Sequence, residues 1–558
     1  MANLSKTRTL FGFTSPRTVE KIIPEIAILA TSFNGRKWDT DTQTAFFREL
    51  FASEWYEGNK MPKNISLAAR DRITRAPKAL GFIDLKPEIR LTEVGSRLLS
   101  GKRTAEVITR QLLKFQLPSP YHRTPADRRF NVRPYLELLR LVKELGKVSK
   151  MEIAIFFLQM TGYEKFTAVA DSIKTFRVDV AYHTGNRKEF IDKRFTEEIR
   201  KIYKDDIETN NTMTRESSDA SVAKFIKTKK SNHIDYADAL IRYLRATQLV
   251  SFDKKTYRLI IAPSRVEEVE FILKHVERHA LEATEQEYKA YLFDPASLSL
   301  LTDNRRYLEN RLKLLGARFD QSAGIDSLKD LLEATEQRVV AQSIHETEVS
   351  LKEYKEFDNI TEVFQNIVRE EVPDPSLYLE WNVWRSMVMI NYAREIKGNF
   401  SIDLDGVPLN IAMGNMPDIE ITYEHFKLII EVTMSAGNKQ YEMEGEPVSR
   451  HFGNVQKNTS QTVFCLFVAP KISEGALAHF FNLNKMNTRA YGGKTRIIPM
   501  NLTQFIRFVS VAREYHFNDS KNLQDYFDTI IDQNGKADDE IVWSEYIANS
   551  VSSWVRAR

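Results

Sequence analysis

NMPDIEITYEHFKLIIEVTMSAGNKQYEMEGE, Asn415 to Glu446, holds two β-strands and a row of carboxylates. Asp418-Ile-Glu-Ile-Thr-Tyr423 alternates polar and apolar residues, which as a half-buried strand sets Asp418 and Glu420 on one face and Ile419 and Ile421 on the other. After the turn-like Glu424-His425, Phe426-Lys-Leu-Ile-Ile-Glu-Val432 has the apolar run of a buried strand, with Lys427, Glu431 and Thr433 sharing a face. A hairpin between the two brings Asp418 within reach of Glu431. Two carboxylates meeting at a sheet end are the donor set of a Mg2+ site, because that hard ion takes a few carboxylate oxygens and keeps waters for substrate phosphate. Acidic residues on a solvated strand face are the competing reading.

Pro417-Asp418, followed by a buried strand ending Glu431-Val432-Thr433, resembles the PD-(D/E)xK nuclease core, with Thr433 where that pattern has lysine. The lysine of such sites orients or activates the attacking water, so Lys427, Gln440 or no residue at all takes that role here.

A chain of 558 residues exceeds what one core supports and predicts three or four domains. Hydrophobic content of 42% is enough for packed cores, while no apolar run approaches bilayer length. The N-terminus, MANLSKTRTLFGF, lacks the apolar core of a signal peptide. The single cysteine, Cys465, sits inside the apolar run Val463 to Val468 as a small core residue, so a cytoplasmic protein without disulfides is expected. Charge is segregated along the chain. Residues 1–150 carry 28 Lys and Arg against 15 Asp and Glu, whereas residues 266–558 carry 31 against 45. A basic front is the footprint of a polyanion-binding module, and an acidic rear repels DNA unless metal ions intervene.

Within the basic half, Ser15-Pro16 opens a helix with Ser15 as cap and places Arg17 near its N-terminus, where phosphate is favoured. Ile65 to Gly81 then predicts a helix with Pro77 as a break and Gly81 as the stop. Phe82 to Leu99 adds a strand, a charged turn, a strand and a helix. This is a winged-helix pattern, in which Arg70, Arg72, Arg75 and Lys78 lie on the groove-reading helix. Arginine suits bidentate contact with guanine, and lysine suits phosphate. Lys114, Gln116 and His122, on a helix running into a proline-rich loop, are further candidates for DNA contact. A new unit begins near Ser149, the cap of an apolar helix from Met151 to Met160. Asp235 to Ile261 repeats helix, strand, turn and strand as a second winged helix. The polar stretch Glu208 to Ser231 is a long loop or DNA-contacting arm.

Val266 to Thr361 is charged, helical in period and without sustained heptads, hence a helical linker. The C-terminal part follows with a helix around Leu377 to Met387, a strand Phe400 to Asp405, the carboxylate hairpin and a helix near Pro447 to Val455. A strand Val463 to Val468, a helix Ala476 to Phe481, a strand Arg496 to Met500 and a helix opening at Leu502 complete it. The expected fold is thus multidomain α+β. Winged-helix-like subdomains occupy residues 1–147 and 148–265, the helical linker 266–361, and an α/β PD-(D/E)xK cleavage domain 362–558.

SPRTVEKIIPE, ARDRITRAPKALGF, RLTEVGSRLL, EWNVW, GNMPDIE, EVTMSAGNKQYEMEGEPVSRH and TRIIPMNLTQF together resemble the AlwI-family type IIS restriction endonucleases, which include natural nicking enzymes. The resemblance implies Mg2+-dependent hydrolysis of duplex DNA a few base pairs outside a short asymmetric site, leaving 5′-phosphate and 3′-hydroxyl ends. It implies an acidic catalytic set of Glu380, Asp418, Glu431 and Glu444, the last three as metal ligands, with Glu442 and Glu446 near enough to Glu444 for that assignment to shift. It also implies a cognate DNA methyltransferase, and a transient homodimer or small partner subunit for cutting the second strand. A strand-specific nickase, the large subunit of a heterodimeric enzyme, and a non-catalytic winged-helix regulator are the alternatives.

Overall fold

The computed structural model describes the chain except residues 1–3, 5–6, 54, 57–59, 122–129, 391, 411–415, 516, 518, 553 and 555–558; the candidate His122 lies outside the described residues. The chain divides into two compact units, residues 1–337 and 338–558, the division falling inside the helix Ile325–Lys352. The expected boundaries at 147 and 265 fall within the first unit and that at 361 within the second.

The second unit is built on a five-stranded sheet whose strands are β1 (Glu395–Gly398), β2 (Ile419–Thr422), β3 (Phe426–Val432), β4 (Thr462–Ala469) and β5 (Ile497–Asn501). They lie side by side in chain order, antiparallel from β1 to β3 and parallel from β3 to β5. The parallel half needs crossovers, and α2 (Asn438–Lys457) and α3 (Glu474–Lys485) supply them. Their apolar stripes cover Ile429, Val463, Cys465 and Phe467 in one core with Val448, Phe452 and Phe480. Leu428, Ile430, Phe464 and Leu466 alternate with these and are wholly buried too, so the sheet needs a second cover. It comes from α1 (Pro375–Ile390), which packs on β3, α4 (Leu502–Glu514), which packs on β4 and β5, and Phe527, whose ring lies 5.4 Å from that of Phe464. Asn501 caps α4 through a capping box with Gln504.

Two differences from the expected order bear on the site. The edge strand is Glu395–Gly398, while Ser401–Ile402 pairs with Pro408–Asn410 in a separate hairpin. And α2 starts at Asn438, nine residues before Pro447, because Gly437 takes a positive φ of 61° that lets the chain turn into the helix. Glu444 therefore stands on a helix instead of on a loop.

In the first unit, the helices Val19–Ser32, Thr40–Ala52 and Ile65–Ile73 share one core with the short antiparallel pair Ile83–Asp84 and Arg90–Leu91. Thr18, not Ser15, occupies the cap position of the first helix. Pro77 starts a separate turn, Ala76–Ala79, in agreement with its missing N–H. Gly81 follows at φ +77°, where an added Cβ would meet the Leu292 side chain at 2.5 Å. Further on, Ser149 caps Lys150–Ile155 in a capping box, and the chain continues as a 3-10 turn at Phe157–Gln159. The second strand pair is Val250–Phe252 with Leu259–Ile261, preceded by the helix Val222–Arg245. That helix is capped by Ser221 and so absorbs half of the polar stretch expected as a loop; the non-helical part is residues 209–221. Residues 266–361 are mostly helical, as their period predicts, with non-helical connections at 276–284, 294–300 and 315–324.

Candidate active site

The β2–β3 register pairs Ile419 with Ile430, and continuing it by one residue sets Asp418 opposite Glu431. Asp418 Oδ2 accepts a 2.7 Å hydrogen bond from the Val432 amide, which fixes the carboxylate across the end of the hairpin. Glu431 lies on the sheet face covered by α2, and that helix brings two more groups to it. His451 Nδ1 sits 2.8 Å from Glu431 Oε1. Glu444, seven residues earlier and therefore on the same side of the helix, accepts from the Thr433 hydroxyl at 2.7 Å and the Ser435 hydroxyl at 3.3 Å. Of the three neighbouring glutamates Glu444 alone turns inward; Glu442 is exposed, and Glu446 is exposed and paired with Arg450.

These carboxylates are held where ionisation is unfavourable. Burial, with Glu431 close by, pushes the Asp418 carboxyl well above its usual range. Burial, with Glu444 close by, does the same to Glu431. Glu444 is raised by burial too, against the pull of its bonds from Thr433 and Ser435. The imidazole of His451 is pushed down to about 4 by burial and the nearby Arg450, so it is neutral at physiological pH. Its Nε2 is buried with no partner among the described residues. None of the three carboxylates has a Lys or Arg within ion-pair distance among the described residues. Clustered carboxylates drawn away from water without an ion-paired cation are costly unless a metal ion or protons neutralise them, so the donor set fits a hard divalent cation. The described side chains do not converge as a ready metal cage, because Asp418 is turned to the Val432 amide, Glu431 to His451 and Glu444 to Thr433.

Both candidates for the lysine role, Lys427 and Gln440, stand away from these carboxylates, whereas the residue at the lysine position does not. Thr433 is tied to Glu444. Lys427 lies four residues from Glu431 along β3, roughly 13 Å at strand spacing. Gln440 is wholly buried, and its amide bonds the backbones of Ser435, Lys471 and Ser473, pinning the start of α2 to the β4–α3 loop. Glu380 is buried on α1, which packs on β3. His451 and Ser435 went unremarked in the sequence; the spacing of His451 from Glu444 is the signal that points to the former.

A protein-family model, "AlwI restriction endonuclease", matches residues 78–508, more than three quarters of the chain, including the hairpin and α2. The chain belongs to the AlwI restriction endonuclease family. It is accordingly a site-specific DNA endonuclease, a hydrolase. Among solved structures, the small subunit (R.BspD6I2) of the heterodimeric restriction endonuclease R.BspD6I is 22% identical, covering 35% of this chain and 98% of its own, with a TM-score of 0.30. The BpuJ1 endonuclease binding domain, solved with pyrene- and phenanthrene-modified DNA, is 14% identical over 53% of this chain and 98% of its own, with a TM-score of 0.33. At these scores neither adds to the argument. No curated relative matches the sequence. Among the described residues, no helix of this family member is long and apolar enough to cross a membrane.

In this AlwI-family endonuclease the residues expected to contact DNA fall into two groups. Arg70 is exposed. Arg75 bonds Thr14 at 3.0 Å and lies 3.5 Å from Asp71. Arg17 pairs with Asp235 at 2.9 Å. Lys78 rests its ammonium on the Tyr121 ring, and burial lowers its pKa. Three candidates instead have internal roles. Arg72 donates at 2.6 Å to Glu25, which is 1% exposed and whose carboxyl burial pushes up to about 7. Lys114 is wholly buried with its ammonium on the Asp294 carbonyl at 2.7 Å, and burial brings it down to about 7. Gln116, wholly buried, bonds the backbone of Leu281 through both ends of its amide. Lys114 and Gln116 fasten the helix Thr104–Lys114 and the segment after it to residues 281–294, a cover that helical periodicity does not include.

Proposed function

We propose that this family member is a type IIS enzyme which binds a short asymmetric duplex site through winged-helix-like elements of residues 1–265. It hydrolyses the backbone outside that site at the Asp418–Glu431–Glu444 cluster, leaving 5′-phosphate and 3′-hydroxyl ends. The observation that carries the reading is the Asp418–Glu431 pair, a half-buried and a buried carboxylate facing each other across adjoining strands with no Lys or Arg in ion-pair contact among the described residues and Arg450 acting on Glu431 only from a distance.

Asp418, Glu431 and Glu444 would hold Mg2+, with Glu380 as the fourth acidic residue of the set. A bound Mg2+ ion supplies a water of lowered pKa and stabilises charge on the scissile phosphate. The rest is done by the chain. The Val432 amide holds one oxygen of Asp418, which leaves the other for a ligand. His451, neutral and in its Nδ1–H tautomer, donates a hydrogen bond to Glu431 and so aims that carboxylate, while its Nε2 is an acceptor with no partner among the described residues. Thr433 and Ser435 hold Glu444. With threonine at position 433, no lysine stands beside Glu444 to compete with a metal for its oxygens. One such cluster per chain cuts one strand per encounter, so a double-strand break takes a second copy or a partner subunit, and without either the enzyme nicks. Incubation with supercoiled plasmid and Mg2+ tests the proposal: open-circular or linear product is expected from the wild type and neither from Asp418→Ala. Undiminished cleavage by a folded Asp418→Ala protein would overturn it.

A further inference from the structure

Within residues 1–337 a cleft of about 630 Å3 is lined by Arg8, Arg70, Arg75, Arg215 and Lys229 and by a single carboxylate, Asp71. Its walls come from distant parts of the sequence. The helix Ile65–Ile73 carries Arg70 and Asp71, the loop 209–221 carries Arg215, and the helix Val222–Arg245 carries Lys229. Arg215 reaches across to Asp71 at 2.7 Å and so ties that loop to the first helix. The extended segment around Gly12 lies hard against Val222–Arg245, where a Cβ at Gly12 would stand 2.5 Å from the Tyr236 carbonyl. The cleft is therefore built in, not an accident of loose loops.

Its charge is not balanced from within. Arg8 is answered by Asp206 at 3.3 Å and, more distantly, Asp205. Arg75 and Arg215 share the one carboxylate of Asp71. Among the described residues Arg70 has no carboxylate partner and Lys229 has none within ion-pair distance. Lys229 lies instead over the rings of Tyr203 and Phe225 at 4.8 and 5.1 Å. Burial lowers its pKa in spite of the more distant carboxylates of Glu216 and Asp206, as expected of a cation held partly away from water without a paired counter-ion. Four cations facing one carboxylate repel one another, and an anion entering the cleft removes that repulsion.

We infer that this cleft seats the sugar-phosphate backbone of the bound duplex, with Arg70, Arg215 and Lys229 contacting phosphate oxygens and Asp71 holding Arg75 and Arg215 in place. The inference rests on the proposed DNA recognition by residues 1–265 and adds the site and its chemistry: a backbone clamp, indifferent to sequence, joining residues far apart in that segment. Guanidinium and ammonium groups converging on one trough suit a phosphate chain, whereas base reading needs side chains presented singly to a groove edge.

The test is fluorescence anisotropy with two labelled duplexes of about 40 base pairs, one taken from around a mapped cleavage position and one of random sequence, across a salt series. Arg70→Ala, Arg215→Ala, Lys229→Ala and the triple variant of the full chain are compared with wild type. Each single variant should weaken both duplexes alike, by about tenfold, and lower the slope of log affinity against log salt by about one; the triple variant should lower it by about three. Arg215→Ala, an exposed loop change, keeps the test valid if the half-buried Lys229 variant misfolds. Wild-type affinity and slope in the folded Arg70 and Arg215 variants would overturn the inference, as would a loss confined to the cleaved duplex, which would make these residues base readers. Displacement of the random duplex from wild type by 10 mM inorganic phosphate at constant ionic strength, without any effect of the variants on DNA, would mark a free-anion pocket and overturn it as well. Failure of the wild type to bind either duplex would instead sink the proposed function.

Discussion

Replacing Asp418 by Asn should abolish cleavage and yet make the metal-free protein more stable, and the two effects together separate a metal site from an ordinary structural carboxylate. Asp418 and Glu431 face each other across adjoining antiparallel strands, so their carboxylates stand on the order of 5 Å apart. At an effective dielectric of about 20 the repulsion of two full charges at that distance is about 3 kcal/mol. Part of it is already relieved, because burial and Glu431 raise the Asp418 pKa and favour the protonated form. Asparagine removes the charge and keeps an oxygen for the Val432 amide, losing about 1 kcal/mol because the acceptor is no longer ionised. The net gain is about 1–2 kcal/mol, which for a unit of this size raises Tm by roughly 2–8 °C. Scanning fluorimetry in EDTA reads it, since four of the six tryptophans, Trp381, Trp384, Trp543 and Trp554, belong to residues 338–558. The sign with pH follows from linkage. A carboxyl whose pKa is higher folded than unfolded binds more protons in the folded state, so wild-type stability falls as pH rises above the free Asp value near 3.9. The gain from Asn should therefore vanish in acid and grow toward neutrality. Mg2+ at about 10 mM should stabilise the wild type by mass action and the variant far less. A variant less stable than wild type in EDTA at pH 8, with an undiminished Mg2+ shift, would refute the opposed, metal-ready carboxylates.

Three further outcomes are expected. His451→Ala should reduce single-turnover cleavage roughly 10–100-fold, the worth of one hydrogen bond to a charged carboxylate, while leaving DNA affinity in Ca2+ unchanged; full activity would remove His451 from the site. Arg72→Ala should destabilise residues 1–337 by about 3 kcal/mol at pH 8 by leaving Glu25 buried and unpaired, and the deficit should shrink toward pH 6 as Glu25 takes a proton; normal stability with lost base discrimination would return Arg72 to the DNA surface. Lys114→Met should leave DNA binding intact. Because the Lys114 pKa is lower folded than unfolded, the wild type loses stability as pH falls below the free lysine range toward 7, and the variant should lack that slope; weakened DNA binding in a stable variant would contradict its internal role.

The carboxylate hairpin was legible from residues 415–446 because a strand repeats every two residues: alternation by itself put Asp418 and Glu420 on one face, and the apolar run ending at Glu431 marked its buried neighbour. The same short-range periodicity predicted a strand over Val463 to Val468, observed as Thr462–Ala469, and the helix opening at Leu502, and charge segregation needed no fold at all. What lies beyond one element's period was decided by packing. That α2 begins at Asn438 chose Glu444 over Glu442 and Glu446 and carried His451 to Glu431. The sheet order put Thr433 under Glu444, and residues 281–294 covered Lys114 and Gln116, which a helix viewed alone leaves outside. Arg70 and Arg72, two residues apart on one basic helix, ended with opposite surroundings because only the tertiary fold places Glu25 beside one and an open cleft beside the other. Local spacing sets which way a side chain points from its own backbone; what it meets there, solvent, carboxylate or carbonyl, depends on segments tens to hundreds of residues away.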